Sequence, residues 1–207
     1  MKYFYYLLFL FLVGCVKEHE PKIEIYLLKE KIASDYGIPV SSMAEYTKMD
    51  EIEKRLYRFT RYDTINKELI DGGPFKVSLS DLNDNPLIED KDIVAFNVKD
   101  EYVTLTEEGY SKIKSFQVPC QTHQVAITAN KKVILTAYIR SDLSSQNLHW
   151  YQIPTSYSGN LSDKTKPYKS LRINFGSLDW NGKEVVPKPP YPKEFLEAFR
   201  KTNRLKE

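Results

Sequence analysis

Apolar and polar residues alternate in several short runs of the chain, and this alternation predicts β-strands with one buried face. The runs cover residues 22–28, 75–79, 93–98, 124–128, 133–139 and 170–175. Only four residues, 129–132, separate the end of one long run from the next, which favours a tight hairpin. The chain is therefore expected to be rich in sheet.

Three other segments repeat apolar residues every three or four positions, the spacing of a helix with one apolar face. In the first, residues 49–59, Asp50 is the predicted N-cap and the apolar stripe is expected to pack in the core. The second follows Thr106, with acidic residues in its first turn. The third covers residues 191–205 and closes the chain after a proline-rich, extended approach.

Together these elements predict an α+β fold with a mostly antiparallel sheet and a few short helices packed on one face. A strand-helix-hairpin unit is expected at about residues 93–153. The length of the chain suits one domain with a core of its own. Residues 22–207 are therefore predicted to form a single α+β domain that ends in a C-terminal helix.

The first residues follow a different pattern. Lys2 precedes a continuous apolar run, residues 3–13, which is too short to span a bilayer and is typical of a signal peptide. It ends in Leu12-Val13-Gly14-Cys15, which resembles the lipobox of bacterial lipoproteins, where the cysteine receives diacylglycerol. We therefore expect residues 1–14 to be removed, Cys15 to be lipidated and residues 15–21 to form a tether to the membrane.

The residues after Cys15 favour delivery to the outer membrane. No Asp occupies the second mature position, where it would favour retention at the inner membrane, and Lys17-Glu18 with Glu20 is similar to a lysine-plus-acid surface tag. The sequence leaves open whether the domain lies on the periplasmic face or on the cell surface.

The near balance of basic and acidic residues predicts that the chain does not bind nucleic acid. Lys plus Arg number 30 and Asp plus Glu number 28, so the chain has no strong field of one sign. The membrane, reached through the N-terminal lipid, is the first predicted partner.

No local motif predicts a metal or another cofactor. Cys120 and His123 form C-x-x-H, which supplies only two of the four ligands that a structural zinc site needs. Asp81 to Asp92 has some of the spacing of a calcium loop, but Pro86 stands where that loop requires glycine. The sequence therefore predicts no metal site and no cofactor.

No convincing catalytic set is present either. Asp142, Ser144 and His149 have the residue types of a hydrolytic triad, but neither Ser144 nor Ser145 lies in a G-x-S-x-G nucleophile elbow. The chain is therefore predicted not to be an enzyme.

Two further features have both a functional and a structural interpretation. Asp63-Thr64-Ile65 fits a D-[S/T]-apolar acceptor pattern for O-glycosylation, with Thr64 as the modified residue, and strand entry is the alternative. Trp150 and Tyr151, with Tyr138 and Tyr157, would form either an aromatic platform for a ligand or ordinary core packing.

Two resemblances extend these expectations. Residues 63–65, 68–75, 86–88 and 134–139 resemble blocks in small uncharacterised lipoproteins of Bacteroidota-type bacteria. Residues 105–109 and the hairpin after them resemble the periplasmic head of SecD-type export proteins, which implies a strand-helix-hairpin unit. Neither resemblance implies a role for a particular residue.

The function that the sequence favours is a lipid-anchored, non-enzymatic envelope module that binds a protein or glycan partner. The predicted binding surface is the hairpin with the loop at residues 141–149, in particular Ser144, His149 and Trp150. The alternatives are an envelope hydrolase and an accessory protein of assembly or export.

Overall fold

The computed structural model describes residues 20–115, 122–141, 144–155, 169–176 and 187–207. This part of the chain has an α+β fold that is mostly sheet with few helices. The strands are β1 (Ile23–Leu27), β2 (Ile38–Pro39), β3 (Arg61–Asp63), β4 (Glu68–Ile70), β5 (Ile93–Asn97), β6 (Tyr102–Leu105), β7 (His123–Ala129), β8 (Lys132–Ser141), β9 (Trp150–Thr155), β10 (Ser170–Arg172), β11 (Asn174–Gly176) and β12 (Leu205–Lys206).

The α-helices are α1 (Glu51–Leu56), α2 (Glu107–Ser115) and α3 (Lys193–Lys201). Short 3-10 helices are formed by Val40–Ser42, Ala44–Lys48, Leu79–Asp81 and Asp90–Asp92. No helix in the described residues is long and apolar enough to cross a membrane.

The strands form three sheets in the described part of the chain. The main sheet has the order β1-β7-β8-β9-β11, the second β10-β6-β5-β12, and the third β2-β3-β4. Most pairings between the described strands are antiparallel, as predicted, but the sheets are mixed, because β8 pairs parallel with β9 and β5 pairs parallel with β12. The parallel β8–β9 pairing is short and joins Tyr138–Ser141 to Gln152–Thr155.

The predicted β7–β8 hairpin is confirmed. Asn130 and Lys131 join the strands with φ angles of 49° and 64°, the left-handed pair that a tight hairpin with the twist of its strands requires. The predicted first strand is confirmed as well: Ile23 and Ile25 of β1 are buried where the strand pairs with β7.

A group of aromatic rings fills the core between the C-terminal helix and the two larger sheets. The ring centroid of Phe96, on β5, lies 5.0–5.4 Å from those of Tyr191, Phe195 and Phe199. Phe195 and Phe199 are fully buried, as the periodicity of the C-terminal segment predicted. The helix ends at Lys201, however, and Leu205 belongs to β12 rather than to the helix.

One further prediction about an element was wrong. Residues 75–79 form no strand: Phe75 is buried, but Leu79 is exposed and begins a 3-10 helix whose start is capped by Ser78 and Asp81. The predicted order of strand, helix and hairpin at about 93–153 is present, but β5 and β6 belong to the second sheet whereas β7 and β8 belong to the main sheet.

Helix α1 has the predicted cap but not the predicted packing. Asp50 accepts hydrogen bonds from the backbone N–H groups of Ile52 and Glu53, and the Glu53 side chain accepts one from the Asp50 N–H. Yet Ile52 is 62% exposed and Leu56 is 72% exposed. Local capping, rather than burial of an apolar stripe, therefore stabilises this helix.

Candidate functional site

Two of the residues predicted to bind a partner, Ser144 and His149, are buried. Ser144 is only 6% exposed and His149 only 3%. This correction follows from the backbone, because Asp71 donates a hydrogen bond to the Asn147 carbonyl and His149 donates one to the Gly72 carbonyl. The loop is thus held against the segment that follows β4.

Trp150, the third residue predicted to bind a partner, contributes to an open surface, and Ser145 of the loop is exposed as well. It is half-buried, its Nε1–H donates to Thr136 Oγ1, and it lines an open groove of about 470 Å³ together with Phe75 and Val77. Tyr138 and Tyr151 are each 1% exposed, so core packing rather than a ligand platform explains these two rings.

Other predicted residues either lie outside the described residues or are dispersed. Cys15, Cys120, Asp142 and Tyr157 lie outside them, so neither the lipidation site nor the complete triad can be placed. Thr64 is exposed in the turn between β3 and β4, where a modifying enzyme could reach it.

The residues of the calcium-loop pattern serve other purposes. Asp81 accepts hydrogen bonds from the N–H and hydroxyl of Ser78, and these bonds lower the pKa of its carboxyl group. Asp92, at the far end of the pattern, is buried beside Lys112, with 2.8 Å between Oδ2 and Nζ.

The structure brings His149 next to two acidic residues that sequence reasoning did not select. One carboxylate oxygen of Asp63, one of Glu68 and one ring nitrogen of His149 all lie within 4.8 Å of one another. We call these three residues the acid–histidine cluster. His149 Nε2 lies 3.2 Å from Glu68 Oε1, but neither atom makes a hydrogen bond.

The two acids of this cluster come from one hairpin. Asp63 ends β3, Glu68 begins β4, and the two residues are directly opposite each other in the antiparallel register. Side chains at such positions project from the same face of the sheet, and like charges there destabilise the pair. The fold therefore holds two carboxylates together at an energetic cost.

Asp63 is held in place by four hydrogen bonds. Its Oδ1 accepts from the N–H groups of Ile65 and Asn66, which forms a turn of the Asx type, and its Oδ2 accepts from Asn66 Nδ2 and the Tyr36 hydroxyl. Burial raises the pKa of Asp63, but the hydrogen bonds lower it further, so the net shift is downwards. Asp63 is therefore a carboxylate at neutral pH.

Neighbouring side chains also contact Glu68 and His149. Asn147 Nδ2 donates to Glu68 Oε2 at 3.2 Å and also to the Leu69 carbonyl. The Tyr36 ring lies near the imidazole of His149, with 6.4 Å between the ring centroids. Burial lowers the pKa of His149 more than the negative charges of Glu68 and Asp63 raise it, so the imidazole is neutral at pH 7.

Gly72 allows the loop before β9 to lie close to the segment after β4. A Cβ on Gly72 would lie 2.7 Å from Leu148 Cδ2 and 2.7 Å from Tyr138 Cζ. We expect Gly72→Ala to lower the free energy of unfolding by about 1–3 kcal/mol through overpacking. Urea denaturation would measure this change; Thr64→Ala, at an exposed position, should change the value by less than about 0.5 kcal/mol. Equal effects of the two substitutions would contradict the packing described at Gly72.

In chemical terms the acid–histidine cluster offers two carboxylates and a neutral imidazole, donors that divalent transition metals accept. Spacing along the chain offers little indication of this cluster. Asp63 and Glu68 flank a turn, but His149 lies 81 positions beyond Glu68, and only the return of the chain before β9 brings it close.

Comparison with known proteins gives no family assignment: no protein-family model matches this chain, and neither a curated protein nor a solved structure is detectably similar to it.

Proposed function

We propose that this protein is a lipid-anchored envelope protein of the bacterial outer membrane, with a non-enzymatic domain that binds a protein or glycan partner. The observation that carries the proposal is the apolar leader that ends in Leu12-Val13-Gly14-Cys15. The resemblance to small lipoproteins of Bacteroidota-type bacteria supports the same location.

A short tether would keep the domain near the lipid. Ile23 lies eight positions after Cys15 and is already fully buried in the main sheet. An extended chain of that length reaches about 28 Å. The mature domain would therefore work close to the membrane surface.

The groove beside Trp150 is the place where we expect a partner to bind. It combines the half-buried indole with apolar side chains and Lys76. Aromatic rings with a polar edge are common in protein and glycan recognition.

The alternative of an envelope hydrolase gains no support from the contacts of His149. Its imidazole lies against Glu68 and Tyr36, whereas Ser144 Oγ accepts a hydrogen bond from the Gln146 N–H. The export-accessory alternative rests on a strand-helix-hairpin unit that is divided between two sheets.

Metabolic labelling with palmitate tests the anchor. The wild-type protein is expected to incorporate the label and to lose residues 1–14, whereas Cys15→Ser should lose the label and keep its leader. The chain provides a matched control, because Cys120→Ser removes the other cysteine and should be labelled and processed like the wild type. Labelling of Cys15→Ser, or loss of label in Cys120→Ser alone, would contradict the proposal.

Protease digestion of whole cells tests the side of the membrane. If the domain is on the surface, external protease degrades it in intact cells. If it is degraded only after lysis, the domain faces the periplasm. Recovery of the labelled protein in the inner-membrane fraction would contradict the outer-membrane location.

A further inference from the structure

The acid–histidine cluster contains more negative charge than its described surroundings neutralise. Asp63 is 2% exposed, and the Glu68 side chain is 26% exposed. Among the residues that the structure describes, no lysine or arginine forms an ion pair with either carboxylate. The two carboxylates held on one face of a hairpin therefore have no described lysine or arginine beside them to offset their charge.

His149 provides an independent observation that points to a ligand. Its side chain is 1% exposed, yet neither Nδ1 nor Nε2 makes a hydrogen bond to a described residue. Buried polar groups in folded proteins are almost always satisfied, and each exception needs an explanation. Glu68 Oε1, the carboxylate atom nearest to the ring, is also buried without a hydrogen bond.

The distance between His149 Nε2 and Glu68 Oε1 is compatible with a shared ion. Nitrogen and oxygen ligands about 2.0–2.1 Å from a tetrahedral zinc ion lie roughly 3.3 Å from each other. His149 Nε2 and Glu68 Oε1 are 3.2 Å apart and make no hydrogen bond. The third ligand atom, from Asp63, lies within 4.8 Å of both, and to reach the ion it would exchange one of its hydrogen bonds for the metal.

Neighbouring side chains orient both acids through hydrogen bonds, as the partners of metal ligands do in known metal sites. The Tyr36 hydroxyl donates to Asp63 Oδ2 at 3.1 Å, and Asn147 Nδ2 donates to Glu68 Oε2 at 3.2 Å. Hydrogen bonds of this kind fix the ligands, and losing one commonly reduces metal affinity 10- to 100-fold. Glu68 Oε1 remains available for the ion.

We propose that Asp63, Glu68 and His149 bind one divalent transition-metal ion of the zinc class, which ties the β3–β4 hairpin to the segment before β9. The imidazole disfavours Mg²⁺ and Ca²⁺, which take oxygen ligands. The ion's two positive charges balance the two carboxylates. The ion would stabilise the fold, and this role does not depend on the proposed anchor or partner.

Equilibrium dialysis against Zn²⁺, followed by elemental analysis, tests the proposal on the untagged full-length protein purified in detergent. We expect one Zn²⁺ per chain. At free Zn²⁺ about 100 times the Kd, the midpoint of thermal unfolding should rise by about 5–10 °C above its value in EDTA.

Two variants distinguish a residue that binds the metal from a residue that only supports the fold. Glu68→Gln removes the charge but keeps the size of the side chain, so in EDTA it should melt no lower than the wild type while losing the shift caused by Zn²⁺. Tyr36→Phe removes only the hydroxyl that orients Asp63 and should weaken Zn²⁺ binding about 10-fold.

Two histidines provide a matched pair. His149→Gln should abolish binding, whereas His123→Gln, which disrupts the C-x-x-H pair, should bind Zn²⁺ like the wild type. If His149→Gln does not fold, Glu68→Gln and Tyr36→Phe still decide the question.

Three results would overturn the proposal: an unchanged Zn²⁺ shift in Glu68→Gln, loss of binding in His123→Gln with retention in His149→Gln, or a shift of equal size with Mg²⁺ in place of Zn²⁺.

Discussion

Replacing Phe96 by alanine is expected to lower the free energy of unfolding by about 3–5 kcal/mol, the range for large aromatic residues in well-packed cores. Phe96 is fully buried on β5, and its ring contacts Tyr191, Phe195 and Phe199. The substitution would leave a cavity where the C-terminal helix meets the second sheet. The surrounding rings are fixed by one another, so they can collapse only partly into that space.

Urea denaturation followed by circular dichroism would measure this effect in the purified protein. Leu56→Ala is the control, because Leu56 is apolar but 72% exposed, and its change should be less than about 0.5 kcal/mol. If Phe96→Ala costs no more than Leu56→Ala, the C-terminal helix does not pack on β5 as described.

Replacing Lys112 by methionine is expected to lower the free energy of unfolding by about 2–3 kcal/mol, because it leaves the buried Asp92 carboxylate without its cation. Lys112 Nζ lies 2.8 Å from Asp92 Oδ2, and the Asp92 side chain is 1% exposed. The Lys112 side chain is 30% exposed, so the effect is expected to be smaller than for a fully buried pair.

The destabilisation should also depend on pH. Burial raises the pKa of Asp92, but hydrogen bonds from Lys112 and the Glu89 N–H lower it below its ordinary value of 3.8. A carboxyl group with a lowered pKa in the folded state stabilises the protein above its ordinary pKa, and this contribution is lost as the pH falls through the lower value. The difference between wild type and Lys112→Met should therefore be full at pH 7 and shrink below about pH 4.

Unfolding curves at pH 7 and pH 3 would check both parts of this prediction. Lys91→Met is the matched control, because Lys91 pairs with the exposed side chains of Glu89 and Glu108. The control should have little effect at either pH. A loss for Lys112→Met that is the same at both values would show that packing, rather than the charge of Asp92, is responsible.

The sequence pattern predicted those elements whose local signals agree with their surroundings in the fold. The β7–β8 hairpin combines two alternating runs with a turn at Asn130, and the C-terminal helix buries Phe195 and Phe199 at helical spacing. In both cases the residues that determine the element lie within it. The pattern therefore contains enough information to predict them.

Predictions of elements were wrong where residues distant in sequence determine the structure of a segment. The spacing of Ile52 and Leu56 predicts a helix with a core-facing stripe, but the described structure places no core against it. Residues 75–79 alternate like a strand, yet no neighbouring strand pairs with them. Periodicity reflects the local sequence alone, whereas burial and strand pairing depend on the segments that pack against an element.

The acid–histidine cluster could not be predicted from spacing for the same reason. Its acids flank one turn, but the histidine lies just before β9, far along the chain, where its N–H donates to the Gly72 carbonyl. The sequence analysis placed His149 in the predicted binding loop. Its burial follows from backbone pairing with the segment after β4.

Anomalous diffraction from crystals of the Zn²⁺-loaded protein, recorded on both sides of the zinc absorption edge, tests the metal site most directly. We expect one anomalous peak about 2.0–2.2 Å from His149 Nε2, Glu68 Oε1 and a carboxylate oxygen of Asp63. Absence of a peak there, or a single peak at His123 instead, would contradict it.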